Sequence, residues 1–212
     1  MHFPIALLVG VAAFVSASPT LMSRANIPDP NTVYIDSVKF IGSGCPLGST
    51  SYTLGENNTV IHLGFSSYVV AQGDGIPITE NRKNCAVDLV MHYPQGWTYS
   101  ISTTDFRGFV SLDRTCTASL GADMYFSGQQ EQAHVLYNLK GPLDGKNHRQ
   151  TVEVGTESLV WARCGAIGPI FNINSQAMVQ KCKKPDEGTL TVDSQDTKFE
   201  VILQLQWRRC NV

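Results

Sequence analysis

From Cys85 to Ser102 apolar and polar residues trade places at almost every step. Val87, Leu89, Met91 and Tyr93 fall on one side, with Asp88 and His92 between them. A period of two puts one set on a buried face of a β-strand and the other on an exposed face. Tyr93-Pro94-Gln95-Gly96 follows. Proline pre-sets φ at the second turn position and glycine suits the fourth, which is a type I turn signal. Trp97, Tyr99 and Ile101 then alternate with Thr98, Ser100 and Ser102. The stretch from Asn84 to Leu112 therefore predicts a hairpin opened by Cys85. Asp105-Phe106-Arg107-Gly108 breaks the pattern, and a third strand follows at Phe109–Leu112.

The same alternation recurs along the chain. Strands are expected at Val33–Ile41, at Thr59–Leu63 and Phe65–Ala71 on either side of Gly64, and within Thr115–Phe126. Others are expected at Ala133–Leu139, Thr151–Val154, Ser158–Arg163, Phe171–Val179 and Thr189–Val192. The last, Phe199–Trp207, is the most regular, with Val201, Leu203 and Leu205 on one face and Glu200, Gln204 and Gln206 on the other. Gln72–Asn84 is a long non-periodic loop, and Gly141–Arg149 reads as a turn-rich connection. No stretch after the N-terminus repeats apolar residues at helical spacing over a helix length. The prediction is an all-β chain: a single antiparallel β-sandwich, jelly-roll-like, of about ten strands with turn signals every 8–12 residues or so.

The N-terminus carries an address. Ile5–Val15 is an almost unbroken apolar run, too short for the roughly 20 residues a membrane helix needs. Val15-Ser16-Ala17 supplies small residues for cleavage, although the segment before the run holds His2 and no Lys or Arg. Residues 1–17 are read as a secretory signal peptide, 18–32 as a flexible leader and 33–212 as the secreted domain. No later run approaches membrane length, so an extracellular protein is expected. Six cysteines fit an oxidising compartment: Cys45, Cys85, Cys116, Cys164, Cys182 and Cys210. They allow fifteen pairings, and spacing alone does not choose among them. Cys45 and Cys85 both sit at strand ends, where a bridge could tie two loops. Asn57-Asn58-Thr59 is an N-glycosylation sequon at Asn57, beside turn-forming Gly55.

Chemistry is harder to find. There is no G-x-S-x-G elbow, zincin motif, P-loop or dinucleotide fingerprint, and no cysteine pair has metal-finger spacing. Neither a cofactor nor a metal is expected. Asp186, Asp193 and Asp196 do not match a calcium loop. The five histidines are scattered at 2, 62, 92, 134 and 148. Asp88 and His92 share a strand face, but four steps along a strand separate them by about 13 Å. Asp74, Glu80, Asp88, Asp105, Asp113 and Asp123 could supply a glycosidase pair, which needs two carboxyls within about 5–10 Å; nothing in the sequence says which converge. Tyr93, Trp97 and Tyr99 alternate with polar residues and are read as core, as are Trp161 and Trp207. Sixteen cationic against eighteen acidic residues give a net charge of −2 with no basic patch. Nucleic acid is therefore not an expected partner.

Several stretches in order resemble one family. They are Gly42-Ser43-Gly44-Cys45-Pro46, Ile76-Pro77, Arg82-Lys83-Asn84-Cys85, His92-Tyr93-Pro94-Gln95-Gly96, Asp105-Phe106-Arg107-Gly108, Tyr125-Phe126-Ser127-Gly128, Phe171-Asn172-Ile173-Asn174 and Leu205-Gln206-Trp207-Arg208. From Val33 to Cys210 the chain resembles the DUF 4360 family, small secreted proteins of fungi and bacteria with no assigned function. The resemblance implies a secreted all-β domain and supplies no catalytic residues. Its cysteine pattern matches Cys45, Cys85, Cys164 and Cys210, with Cys116 and Cys182 as additions. It thereby implies the bridges Cys45–Cys85, Cys164–Cys210 and Cys116–Cys182. The missing catalytic signature leans against an enzyme. The reading is a secreted binding protein for wall polysaccharide, a surface or a partner protein. Two alternatives stand beside it: a polysaccharide hydrolase or lyase using convergent carboxylates, and a structural or effector protein that binds another protein. The binding residues are unknown at this level.

Overall fold

The computed structural model describes residues 27–164, 168–191 and 199–210. The segment read as a signal peptide (1–17) lies outside the described residues, as do Asp193 and Asp196 and all of the leader before Ile27. Among the described residues twelve strands follow in chain order: β1 (Tyr34–Ile41), β2 (Thr50–Gly55), β3 (Val60–Phe65), β4 (Val70–Gln72), β5 (Arg82–His92), β6 (Trp97–Leu112), β7 (Thr117–Phe126), β8 (Gln132–Lys140), β9 (Leu143–Glu153), β10 (Phe171–Gln180), β11 (Gly188–Thr191) and β12 (Phe199–Arg209).

They form two antiparallel sheets. Sheet A has the order β1-β5-β10-β7-β8. Sheet B runs β2-β3-β12-β6. β12 pairs with Trp97–Arg107 of β6 and β11 continues the same edge at Phe109–Leu112, with β4 outside it; β9 takes the opposite edge. The inward faces meet in one apolar core that includes Val87, Leu89 and Met91 of sheet A with Val201, Leu203 and Phe106 of sheet B. Aromatic edges lock the layers: Tyr99 of β6 meets Phe126 of β7 at 5.3 Å and Phe171 of β10 at 6.2 Å. Three disulfides join Cys45 to Cys85, Cys116 to Cys182 and Cys164 to Cys210. The chain is a disulfide-stapled antiparallel β-sandwich.

The local expectations need six corrections. β5 and β6 are not a hairpin. β5 pairs with β1 and β10, β6 with β12, β9 and β11, so the Pro94–Gly96 turn crosses from one sheet to the other. Alternation demands a buried face and does not say whether the next strand lies beside or opposite. Here Tyr93 and Tyr99 face each other across the core, 5.4 Å apart and edge to face. Asp105–Gly108 does not interrupt a strand; β6 is continuous over sixteen residues. Gly64 does not break β3, and a Cβ there would approach Ser51 Oγ to 2.5 Å. Gly141–Arg149 is largely strand β9, whose polar residues suit an edge position. Ser158–Arg163 is not a strand, whereas β2, unforeseen, is one.

Candidate functional site

The outer face of sheet B carries a polar cluster that depends on one irregularity in β6. Trp97, Tyr99 and Ile101 point inward. Between Ile101 and Thr103 the register with β12 shifts, and Ser102 has no counterpart there. Such a bulge reverses the parity of everything after it. Thr104, Phe106 and Val110 now fill the core, and Asp105 and Arg107 turn outward.

Cross-strand register then aligns two rows on that face. Thr53, His62, Ile202, Asp105 and Thr151 form one; Ser51, Gly64, Glu200, Arg107 and Arg149 form the other. Arg149 donates from Nη2 to Asp105 Oδ2 at 2.6 Å and from Nε at 3.2 Å. Arg107 lies 3.9 Å from the same carboxylate and 3.7 Å from Glu200 Oε2, bridging the two acids. Asp105 is only 4% exposed. Burial pushes its carboxyl upward, but the Thr151 hydrogen bond, the Arg149 hydrogen bond and the two guanidinium charges outweigh this and hold it below the usual range. It stays an anion whose role is to fix both arginines.

Beside this network opens a cleft of about 250 Å³, lined by Ser51, Tyr52, Thr53, His62, Gly64 and Glu200. Gly64 lowers its floor, because any side chain would stand against Ser51. Tyr52, 44% exposed at the edge strand, gives the cleft only backbone, since its ring turns to the other side of the sheet, 6.5 Å from Phe40. At the opposite end of the face, the Arg208 guanidinium lies 3.8 Å over the Trp161 ring. Trp161 is half-buried and stands outside the core, contrary to its sequence reading, while Tyr93, Trp97, Tyr99 and Trp207 are core residues.

The other candidates fall elsewhere. Asp88 lies on the outer face of sheet A, between Lys39 and Asn172 in register, and His92 stacks on Tyr34 at 4.5 Å. Asp123 pairs with His134 at 2.5 Å on the same sheet. Asp74 pairs with Lys184, Glu80 with Lys83 at 2.9 Å, and Asp113 accepts from the Glu187 amide at 2.8 Å, all in connections. Asp186 is held by the Thr115 hydroxyl and amide, which keep its carboxyl below the usual range. Of the six carboxylates considered from sequence, only Asp105 belongs to the cluster; its acidic partner Glu200 was not among them. Arg107, Arg149, Ser51 and Thr53 were missed as well. The signal available was the Asp105-Phe106-Arg107 alternation, and its outward direction hangs on the bulge. Asn57 is exposed in the β2–β3 turn. Among the described residues no three His, Cys, Asp or Glu side chains gather to hold a metal ion, and no helix is long and apolar enough to cross a membrane.

A family model for DUF4360, described as a domain of unknown function, matches residues 31–210. The chain belongs to the DUF4360 family. A secreted relative from Arthroderma benhamiae, described as an uncharacterized secreted protein, is 38% identical to this DUF4360 chain over 185 residues, which is 87% of this chain and 75% of the relative. This DUF4360 protein is likewise extracellular, and its three disulfides fit that location. Among solved structures, similarity extends to a carbohydrate-binding module, TmCBM61, in complex with β-1,4-galactotriose. That match has a TM-score of 0.29 and 10% identity, covering 89% of this chain and all of the other. A family 11 carbohydrate-binding module from Clostridium thermocellum, in complex with a mixed-linked tetrasaccharide, matches with a TM-score of 0.22 and 10% identity, covering 81% and 86%.

Proposed function

We propose that this secreted protein binds an extracellular polysaccharide, without cleaving it, in the cleft on the outer face of sheet B. The observation that carries this reading is the row of planar polar groups, Glu200, Arg107 and Arg149, locked by shared ion pairs beside an open cleft of about 250 Å³. Carboxylate and guanidinium forks match vicinal sugar hydroxyls, and groups fixed in advance lose little entropy on binding. Ser51, Thr53 and His62 add further hydrogen-bonding groups. One observation favours a hydrolase instead: Arg107 brings the carboxylates Asp105 and Glu200 to a single cation. Against it, Asp105 held ionised by two arginines is no proton donor, and its carboxylate is engaged by Arg149 and Arg107 and does not line the cleft.

The test is retention of the purified protein on insoluble chitin, β-glucan, cellulose and xylan, with released sugar assayed in the same tubes. Retention without release is expected, and Glu200→Ala should weaken it sharply while leaving the melting transition in place. Sugar release that Glu200→Ala removes would replace binding by hydrolysis; no retention on any polymer would sink both. The apolar run Ile5–Val15 supports removal of 1–17, leaving 18–32 as leader and 33–212 as the domain, and the mass of the secreted protein checks this. Exposure of Asn57 in its turn supports glycosylation there; a mass change on enzymatic deglycosylation is the expected sign.

A further inference from the structure

The outward residues of β12 do not stop at the cleft. Glu200, Ile202, Gln204, Gln206 and Arg208 lie along one line on the outer face of sheet B, and the last two are exposed. Eight strand steps separate Glu200 from Arg208, a span of about 27 Å. At the far end stands Trp161, with the Arg208 guanidinium on its ring. Arg208 shares the outward parity of Glu200, so the ring beneath it belongs to the same face.

Trp161 is firmly mounted for a residue in an irregular segment. The Ala162 amide donates to Tyr99 O at 2.9 Å, and the Thr98 hydroxyl donates to Ala162 O at 2.5 Å. Gln129 Nε2 donates to Trp161 O at 3.0 Å, and the Cys164–Cys210 bridge ties the segment to the end of β12. The result is a half-buried indole held against an exposed strand, with part of its surface left to solvent. Aromatic surface of this kind suits the apolar face of a sugar ring, and its fixed orientation removes most of the entropic cost of stacking. Gln204 and Gln206 lie between the two ends and offer amide donors and acceptors along the way.

We propose that Trp161 and Arg208 form a second anchoring subsite, and that the face binds the interior of a polysaccharide chain laid along β12 rather than a single terminal sugar. This rests on the glycan-binding reading of the cleft. Two anchors about 27 Å apart are engaged together only by an extended polymer, so affinity must depend on ligand length, the second contact being made at high effective concentration.

The experiment is calorimetric titration of the secreted protein with cello-, laminari-, chito- and xylo-oligosaccharides, from disaccharide to hexasaccharide. Affinity for the series that binds is expected to climb with length. Trp161→Ala should lower hexasaccharide affinity about tenfold and flatten the length dependence. Arg208→Gln, an exposed change that leaves the indole in place, should flatten it in part, which keeps the test open should the tryptophan variant lose its fold. Glu200→Ala should instead weaken every length. Equal affinity at all lengths, or a hexasaccharide affinity that neither Trp161→Ala nor Arg208→Gln alters, would overturn the second subsite and leave the cleft reading standing. Failure of every oligosaccharide would remove the cleft reading and this one with it.

Discussion

Tyr99 sits at the centre of the core, fully buried, with Tyr93, Phe126 and Phe171 arranged edge to face around it. Its hydroxyl has no hydrogen-bond partner, and burial drives the phenol well above its usual value. A buried polar atom left unpaired costs free energy that its removal recovers. Tyr99→Phe is therefore expected to keep or raise stability, by up to about 1 kcal/mol, read from the urea midpoint; a loss of that size would show that the hydroxyl is satisfied. His148 makes the opposite kind of demand. Its Nε2 is buried without a partner beside an apolar pocket lined by Phe106, Phe109, Leu120 and Leu190, and the ring stacks on Tyr137. Burial pushes its pKa below the usual 6.5. Below that value the unfolded chain takes up a proton that the folded chain refuses, so stability falls as pH drops through 6.5 toward the folded value. His148→Gln should flatten the melting temperature measured between pH 7 and pH 5. An unchanged slope would mean that other groups set the acid limit.

At the scale of the strand, parity decides what the sheet displays. Deleting Ser102 removes the extra residue of the bulge and would turn Asp105 and Arg107 into the core and Phe106 into water. The deletion is expected to abolish secretion of folded protein, whereas Ser102→Ala, which keeps the count, should be secreted at near wild-type yield. Western blotting of the medium separates the two outcomes. The same logic says what could be read from sequence. Val87 to Tyr93 and Val201 to Trp207 announce their buried faces by period alone, and the sandwich follows from that. The crossing at Pro94–Gly96 was not legible, because a strand buried on one face looks the same whether its neighbour in sequence lies beside or opposite. The site was less legible still. Arg149 sits among turn-forming residues that become strand only through pairing with β6, and the outward aim of Asp105 needs a bulge that leaves no compositional trace.

Across the whole molecule, covalent and topological ties divide the work. The Cys45–Cys85 bridge closes a separation of 40 residues and joins the loop after β1 to β5. Chain entropy assigns such a loop about 4 kcal/mol, a large share of the roughly 5–15 kcal/mol of a typical domain. Replacing both cysteines by alanine should lower the unfolding free energy by that order in urea, and an effect below about 1 kcal/mol would mean that the unbridged chain already holds this loop and β5 together. The most demanding feature is where the last strand is placed. β12, the last described strand in the chain, lies inside sheet B between β3 and β6, and no turn-linked pair joins β5 to β6. A polypeptide emerging from the ribosome thus carries β3 and β6 with a vacant lane between them until residues 199–209 arrive. Closure of sheet B therefore waits for the final strand, a fitting property for a protein whose place of work lies outside the cell.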